Sequence, residues 1–276
     1  MDNLEIYCIT HKAIPLIQKL GFIPFGTGTK EYPENYIKDN SGNNIANKNN
    51  YYGETTFHYW YWKNKLDLSS DKWVGNCQYR RFFIKLKYRK LIEDTELKID
   101  FNKEQLKDIL INSVQPEWEN FNAVICDPRT LVVPKMSKLF KRGFRSILKD
   151  PTIMFNKNKH TIKLHFDMYH GYGNLDKAIN VLDKKDRDDF RFYVNNNNNL
   201  KANCIFFSKP KIMNLFYKDL FDWLFKCEEI FGFENLKGYD VGRLYSFLTE
   251  RFTPFWFEKY AKTISWPWMF YDISKD

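Results

Sequence analysis

Two consecutive arginines, Arg80 and Arg81, sit in the apolar run "WVGNCQYRRFF", between Tyr79 and the pair Phe82 and Phe83. A guanidinium keeps its charge at any accessible pH and is costly to bury alone, so the pair needs an anion. A phosphate or diphosphate would satisfy both planar forks, and the Tyr79 ring could stack on a base or sugar. The competing reading is a pair of structural ion pairs with acidic residues such as Glu54 or Glu250, and spacing alone does not separate the two. Other polar residues fall in comparable places: Thr10, His11 and Lys12 at the end of "LEIYCIT", Gln78 just before the arginines, and Asn203 inside "LKANCIFF". In open α/β sheets such positions meet in one crevice beyond the carboxyl ends of the strands.

Residues of this kind need strands to carry them. "LEIYCIT" reads as a buried strand, followed by the apolar stretch "FIPFGTGT". Residues 31–50 turn polar and end in "KDNSGNNIANKNN", whose Asp, Asn, Ser and Gly are loop chemistry. "YYGETTFHYWYWKNK" is expected to be a helix buried on nearly all sides, and "KWVGNCQYRRFFIKL" a strand running into the site. "DFNKEQLKDILINS" carries Asn102 as N-cap with Gln105 three residues on, a capping-box variant, so a helix is predicted there. "FNAVICDP" is a strand stopped by Pro128, and the alternation of strands with helices argues for a largely parallel sheet. Farther on come a loop and helix over "FDMYHGYGNLDKAINVLDKKDRDDF", an exposed turn at "NNNNN", a strand at "LKANCIFFSKP", a long amphipathic helix from Ile212, and a last helix halted near Pro254. No linker or repeat divides residues 1–276, so one domain is expected, ending in an aromatic tail over 254–276.

The chain has 276 residues, 43 Lys plus Arg against 34 Asp plus Glu, and an aromatic content of 18%. A net charge of +9 favours anionic partners, whether nucleotide, nucleic acid or membrane face. The five cysteines are scattered without a CxxC, which suits small buried residues of a reducing compartment and indicates neither disulfides nor zinc. No run of about 18 apolar residues and no leader pattern occurs, which leads to an expected cytoplasmic location. The GxxxxGK[ST], GxGxxG, GxSxG and HExxH signatures are missing, which weakens the common nucleotide, hydrolase and metalloprotease readings.

"THK" after the first strand, "DNSGNNIANKNNYYGETTFHYWYWKN", "VGNCQYRRFF", "FDMYHGYGNL", "NCIFF" and "RLYSFLTERF" occur in this order. The string resembles a bacterial capsular and exopolysaccharide biosynthesis family, formerly of unknown function and later assigned as galactofuranosyltransferases, found in O-antigen polymerases. The likeness runs over residues 4–258. It implies a GT-A-like α/β fold, a largely parallel sheet flanked by helices with a helical C-terminal part. It also implies transfer of a sugar, galactofuranose, from a UDP-sugar donor to a glycan acceptor in surface polysaccharide synthesis. The matched positions are Thr10, His11 and Lys12; Asp39, Gly42, Asn44, Asn47, Lys48, Asn50, Glu54 and Thr56; Tyr79, Arg80 and Arg81; His170; Asn203; and Glu250 and Arg251. Two positions depart from the family pattern: Gln78 stands where it has histidine, and Ala46 where it usually has serine.

From this resemblance the donor site is expected to use Thr10, His11, Lys12, Asn44, Asn47, Asn50, Glu54, Gln78, Tyr79, Arg80, Arg81 and Asn203, with Thr10 to Lys12 toward uracil and ribose. Most GT-A enzymes hold a divalent cation with an Asp-x-Asp at the end of a central strand, and "GNCQYRRFF" occupies what looks like that place. Arg80 and Arg81 are therefore expected to take over part of the metal's work on the leaving UDP, with no cofactor required and Mn or Mg as the alternative. An inverting transfer needs a base near the acceptor hydroxyl, and Asp240, His170 and Glu250 are the candidates. Each also has a structural reading: Asp240 as a helix N-cap, His170 as a hydrogen-bonded loop residue, Glu250 as the partner of Arg251 or Arg243. Asn44, Asn47 and Asn50 either order a loop over the donor or make turns.

The aromatic tail, with Trp256, Trp266 and Trp268, suits a membrane interface, where a lipid-linked acceptor would lie, or else core packing or a subunit contact. The basic segment 135–149 would help through anionic headgroups or is a solvated face. Two rival classes stay open. One is a basic, aromatic nucleic-acid-binding protein, although the family resemblance implies no nucleic-acid partner. The other is a catalytically inactive assembly partner, made conceivable by Gln78.

Overall fold

The computed structural model describes residues 3–90, 100–131, 134–201 and 204–275. Strand β1 (Leu4–Thr10) lies between β2 (Ile23–Gly26) and β4 (Trp73–Gln78) and is parallel to both, while β3 (Ile37–Lys38) continues the parallel run beyond β2. Beyond β4 come β9 (Phe206–Ser208), antiparallel to its neighbours, then β6 (Ala123–Cys126) and β10 (Thr263–Trp266), giving the order β10-β6-β9-β4-β1-β2-β3. Two antiparallel pairings in succession return β6 to the direction of β4. The carboxyl ends of β1, β4 and β6 therefore open on one edge of the sheet.

Period-two alternation in these strands sends side chains to two cores. Tyr7, Ile9, Ala123, Ile125 and Phe206 face the helices Thr55–Asn64, Pro210–Phe231 and Leu244–Tyr260, whereas Ile6, Cys8, Val124, Cys126 and Phe207 face the opposite cluster with Trp118 and Trp266. A mostly parallel sheet with helices on both faces is the architecture predicted, and burial on both faces explains why its strands are apolar throughout. Gly75 permits the β4–β9 contact: a Cβ there would lie 2.0 Å from the Phe207 ring and 2.5 Å from the Phe206 carbonyl. The adjacent Asn76, 1% exposed, donates from Nδ2 to the Cys204 carbonyl at 2.8 Å and accepts from the Phe206 N–H, so this buried amide is satisfied where the ladder begins.

The predicted capping box is present: Asn102 accepts from the Gln105 N–H, and Gln105 Oε1 accepts from the Asn102 N–H, each at 2.9 Å. All five cysteines are free and buried. "FDMYHGYGNLDKAINVLDKKDRDDF" forms three helical pieces, Ile162–Tyr169, Asn174–Asn180 and Lys184–Asn196, where a loop and one helix were expected. Asn195, Asn196 and Asn197 donate from Nδ2 to carbonyls four residues earlier, so much of the asparagine run finishes a helix.

Three expectations about β4 and the C-terminus are corrected. The chain does not run straight on through the arginines: it reverses at Tyr79 and Arg80 and returns as β5 (Arg81–Phe83), antiparallel to β4 with Gln78 opposite Arg81. Pro254 does not halt the last helix, which continues to Tyr260. Thr253 and Thr249 hydroxyls donate to the carbonyls of Thr249 and Tyr245, and buried Phe252, Phe255, Trp256 and Phe257 pack on both sides of the proline, so tertiary burial overrides its missing N–H. The tail re-enters the sheet as β10 and β11 (Trp268–Phe270), the latter antiparallel to β5. Trp256 and Trp266 are each 1% exposed and Trp268 7%, so of the readings offered for these tryptophans core packing describes them and a membrane interface does not. Trp266 Nε1 donates to the Ile84 carbonyl at 2.8 Å, and the Tyr271 and Ile273 N–H groups bond the carbonyls of Arg80 and Tyr79. The tail thereby holds the arginine turn in place.

Candidate functional site

A cleft of about 1320 Å³ opens at the carboxyl ends of β1, β4 and β6. It is lined by Thr10, His11, Asn50, Glu54, Gln78, Tyr79, Arg80, Arg81, His170, Asp240 and Glu250, all expected site residues. Lys12 lies beside the cleft: its ammonium bonds the Ser274 hydroxyl at 2.9 Å and sits 5.4 Å from the Tyr79 ring centre. Asn44 folds its side chain into a turn, donating to the Gly42 carbonyl and accepting from the Ala46 N–H, so the turn-making reading describes it. Asn47 is exposed and does not line the cleft, and Asn203 lies outside the described residues.

Each loop at this edge is fixed locally. The Thr10 hydroxyl donates to the Lys12 carbonyl at 2.7 Å and accepts from the Lys12 N–H at 3.1 Å, curling the chain over the end of β1. Asp39, 1% exposed, accepts from the Gly28 N–H at 2.9 Å and the Thr56 hydroxyl at 2.5 Å, tying the β2 loop to the helix that follows Glu54. Burial pushes the Asp39 carboxyl up to about 6. Gly53 adopts φ +53°, and a Cβ there would lie 2.1 Å from Nη2 of Arg243. The positive φ favours glycine, and a side chain there would press on that guanidinium where it meets Glu54.

The charged groups form two separate systems. In the first, Arg243 Nη2 donates to Glu54 Oε2 at 3.0 Å, Gln78 Nε2 donates to Glu54 Oε1 at 3.0 Å, and Arg81 Nη1 donates to Gln78 Oε1 at 2.7 Å. In the second, the buried Arg251 donates from Nη1 to Glu250 Oε2 at 2.6 Å, and its Nη2 lies 3.3 Å from His165 Nδ1 and 3.2 Å from His170 Nε2. Both acids proposed as partners for Arg80 and Arg81 are thus paired with other arginines. Among the described residues, neither Arg80 nor Arg81 makes an ion pair, and the buried Nε of Arg80 has no hydrogen-bond partner. Arg80 lies 4.9 Å from the Tyr79 ring centre, and both arginines lie 5.9 Å from that of Phe270, aromatic faces that hold a cation without neutralising it.

The three base candidates differ sharply. Arg251 can only donate, so His170 Nε2 must accept and His170 Nδ1–H donates to the Asp240 carbonyl at 2.9 Å. Both ring nitrogens are engaged, the ring stacks on Phe247 at 3.7 Å, and burial beside Arg251 pushes the imidazole down to about 2. The Asp240 carboxylate turns outward to Arg142, Nη1 to Oδ2 3.0 Å, and is half exposed; Lys237, not Asp240, is the N-cap of Gly238–Gly242. Glu250 lines the cleft with Oε2 held by Arg251, and burial raises its carboxyl above the ordinary range, with the nearby Glu54 adding to the rise. A carboxylate held at one oxygen, with a raised affinity for protons, suits a general base.

Several lining residues escaped the sequence reading: Arg129, Lys135, Lys138, His165, Tyr169, Arg243 and Phe247. Helical spacing could have found some of them, since 243, 247, 250 and 251 fall on one face of the last helix and 165 and 169 are one turn apart. Arg129 follows β6 and lies 3.8 Å from the Trp268 ring centre. Gln78 bridges Glu54 and Arg81, and it stands where histidine is expected from the resemblance. Replacing Gln78→His should leave UDP affinity within a few-fold and change the rate or the sugar preferred; steady-state kinetics with several UDP-sugars read this, and no change in either would make the departure neutral.

Among the described residues no three His, Cys, Asp or Glu side chains gather where they could hold a metal ion. No curated protein matches the chain. Among solved structures, the chain is similar to the apo structure of WbbM, a bifunctional glycosyltransferase, at 19% identity and a TM-score of 0.71. The match covers 97% of this chain and 45% of that one, so the chain spans less than half the length of its structural neighbour. The likeness places this mostly parallel α/β architecture beside that of a glycosyltransferase. A family model matches residues 5–262, and the chain belongs to the family described as "Domain of unknown function (DUF4422)".

Proposed function

We propose that the protein is a glycosyltransferase that moves a hexose, galactofuranose in the first instance, from a UDP-sugar to a hydroxyl of a glycan acceptor with inversion. The observation that supports this best is the pair Arg80 and Arg81, lining the cleft with no ion pair among the described residues while Glu54 and Glu250 are taken by Arg243 and Arg251. Two guanidiniums that make no contact ion pair among the described residues, at the carboxyl end of a central strand, suit a diphosphate. The structural neighbour, itself a bifunctional glycosyltransferase, supports the same class.

In the proposed reaction the acceptor oxygen attacks the anomeric carbon, Glu250 takes the hydroxyl proton, and the bond from that carbon to the diphosphate oxygen breaks. UDP leaves with the electron pair, and its new charge falls to Arg80 and Arg81. His11 after β1 and Tyr79 after β4, with ring centres 5.0 Å apart, offer a surface for uracil. Arg251 orients Glu250, and Arg243, Glu54 and Gln78 orient Arg81. Turnover at the cytoplasmic face of a membrane fits a glycan acceptor carried on a lipid.

The two arginines are proposed to do the neutralising that a divalent cation does in many such enzymes. Release of UDP from UDP-galactofuranose, followed with a glycan acceptor present, should persist in excess chelator at a rate within about twofold of the untreated protein. Loss of turnover on chelation, restored by Mn or Mg, would overturn the metal-free part of the proposal and leave the donor assignment standing.

A further inference from the structure

The helix Met136–Lys149 has three faces. Leu139, Gly143, Ser146 and Ile147 turn inward, where Leu139 and Ile147 join a small apolar cluster with Ile153, Leu164 and Met168. Lys138 lines the cleft, and the cationic heads of Lys138 and Arg142 lie 4.9 and 5.0 Å from the Tyr169 ring centre, with Arg142 pairing with Asp240 at the surface. The third face is apolar and open to solvent. Met136, Phe140, Phe144 and Leu148, spaced four apart, are 45%, 45%, 53% and 66% exposed, and Phe155 just beyond the helix is 84% exposed.

One exposed apolar side chain needs no explanation, but a row of four at helical spacing on a helix already anchored on its other side does. Basic residues flank the row: Lys141, Arg145 and Lys149 on the helix, all exposed, and Lys157 and Lys159 beside Phe155. No acidic residue occurs between Lys135 and Lys149. Aromatic and aliphatic side chains on one face with cations beside them are the composition of a helix that lies in the plane of an anionic lipid surface. Among the described residues no helix is long and apolar enough to cross a membrane, so lying flat is the mode of contact this helix offers.

We propose that the face formed by Met136, Phe140, Phe144 and Leu148 docks on an anionic lipid bilayer. Lys135, Ser137 and Lys138 at the start of the same helix line the cleft, so docking brings the cleft mouth to the headgroup level. An acceptor presented from the bilayer would then reach Glu250 without leaving its membrane. The docking surface itself does not depend on the transferase reading, because vesicle binding is measured without turnover.

Flotation of the protein with vesicles of phosphatidylcholine and phosphatidylglycerol, against vesicles of phosphatidylcholine alone, tests this. The protein should bind the mixed vesicles at least about tenfold more strongly, and added salt should weaken the binding. The double variant Phe144→Ser with Leu148→Ser should lose about tenfold or more of that binding. Both side chains are surface groups, so its UDP affinity and melting temperature should stay those of the parent. Equal binding of both vesicle types, vesicle binding unchanged in the double variant, or a self-associated protein that the double variant turns monomeric without any vesicle binding would each overturn the proposal. The last outcome would assign the face to a second copy of the chain.

Discussion

Arg81→Ala should lower kcat/KM for the UDP-sugar by about 10²- to 10³-fold, the cost of removing one preorganised donor from a developing oxyanion, equivalent to roughly 3–4 kcal/mol. UDP itself should bind about 10- to 100-fold more weakly, because a charge-assisted hydrogen bond contributes about 1.5–3 kcal/mol. The melting temperature should hardly move, since among the described residues Arg81 makes no ion pair and it donates to the neutral Gln78. Arg81→Lys should recover only part of the loss, because an ammonium restores the charge but not the planar fork. Arg80→Ala should behave similarly on the rate, since its buried Nε has no hydrogen-bond partner among the described residues. Calorimetric UDP titration and steady-state kinetics read these effects. A normal UDP affinity and rate in both alanine variants would return the arginines to a purely structural role.

Glu250→Gln should cut kcat by about 10²- to 10⁴-fold, the usual contribution of a positioned base, while UDP affinity changes by no more than a few-fold. The amide keeps the shape and can still accept from Arg251, but it leaves a buried guanidinium without a counter-charge. Stability should therefore fall as well, by an amount approaching the roughly 3–5 kcal/mol seen when one partner of a buried pair is removed. The pH profile separates the chemical role from the structural one. A base acts when deprotonated, so kcat should rise with pH and level off. Because burial raises the Glu250 carboxyl, the midpoint should lie above the usual carboxylate range, and this acid limb should vanish in Glu250→Gln. Asp240→Asn should change kcat by less than a few-fold, because its carboxylate faces Arg142 at the surface. A large loss in Asp240→Asn together with an unchanged acid limb in Glu250→Gln would reverse the assignment.

Much of the scaffold was legible because local and global preferences agree there. The strands at 4–10, 73–78 and 123–126 are buried on both faces and read as continuous apolar runs, and the capping box at Asn102 and Gln105 is decided by two side chains and two backbone groups. The errors lie where distant parts of the chain decide. β5 exists because β11, nearly 200 residues later, pairs with it, and no local signal in "YRRFFIKL" shows that partner. Pro254 stays inside a helix because the surrounding aromatic core holds it, although it breaks helices in isolation.

The candidate site divides in the same way. Residues at strand ends, Thr10, His11 and Gln78 to Arg81, could be placed together from topology alone. Arg243 and His165 could not be placed from topology: helical spacing groups each with neighbours on its own helix, but whether that face meets the cleft depends on how the helices dock on the sheet edge. The choice among Asp240, His170 and Glu250 was out of reach of the sequence as well. It turns on which groups Arg142 and Arg251 engage: Glu250 is the chain neighbour of Arg251, but the Arg251–His170 and Arg142–Asp240 contacts join segments 81 and 98 residues apart.

The central claim is that Arg80 and Arg81 await the diphosphate of a uridine nucleotide. Titrating UDP, and separately a single-stranded RNA oligonucleotide without a free diphosphate, into the protein and into Arg81→Ala tests it most directly. The account predicts saturable binding of UDP at one site, weakened about tenfold or more by Arg81→Ala, with RNA binding absent or unaffected by that change. RNA binding that is lost with Arg81, with no binding of UDP, would contradict it.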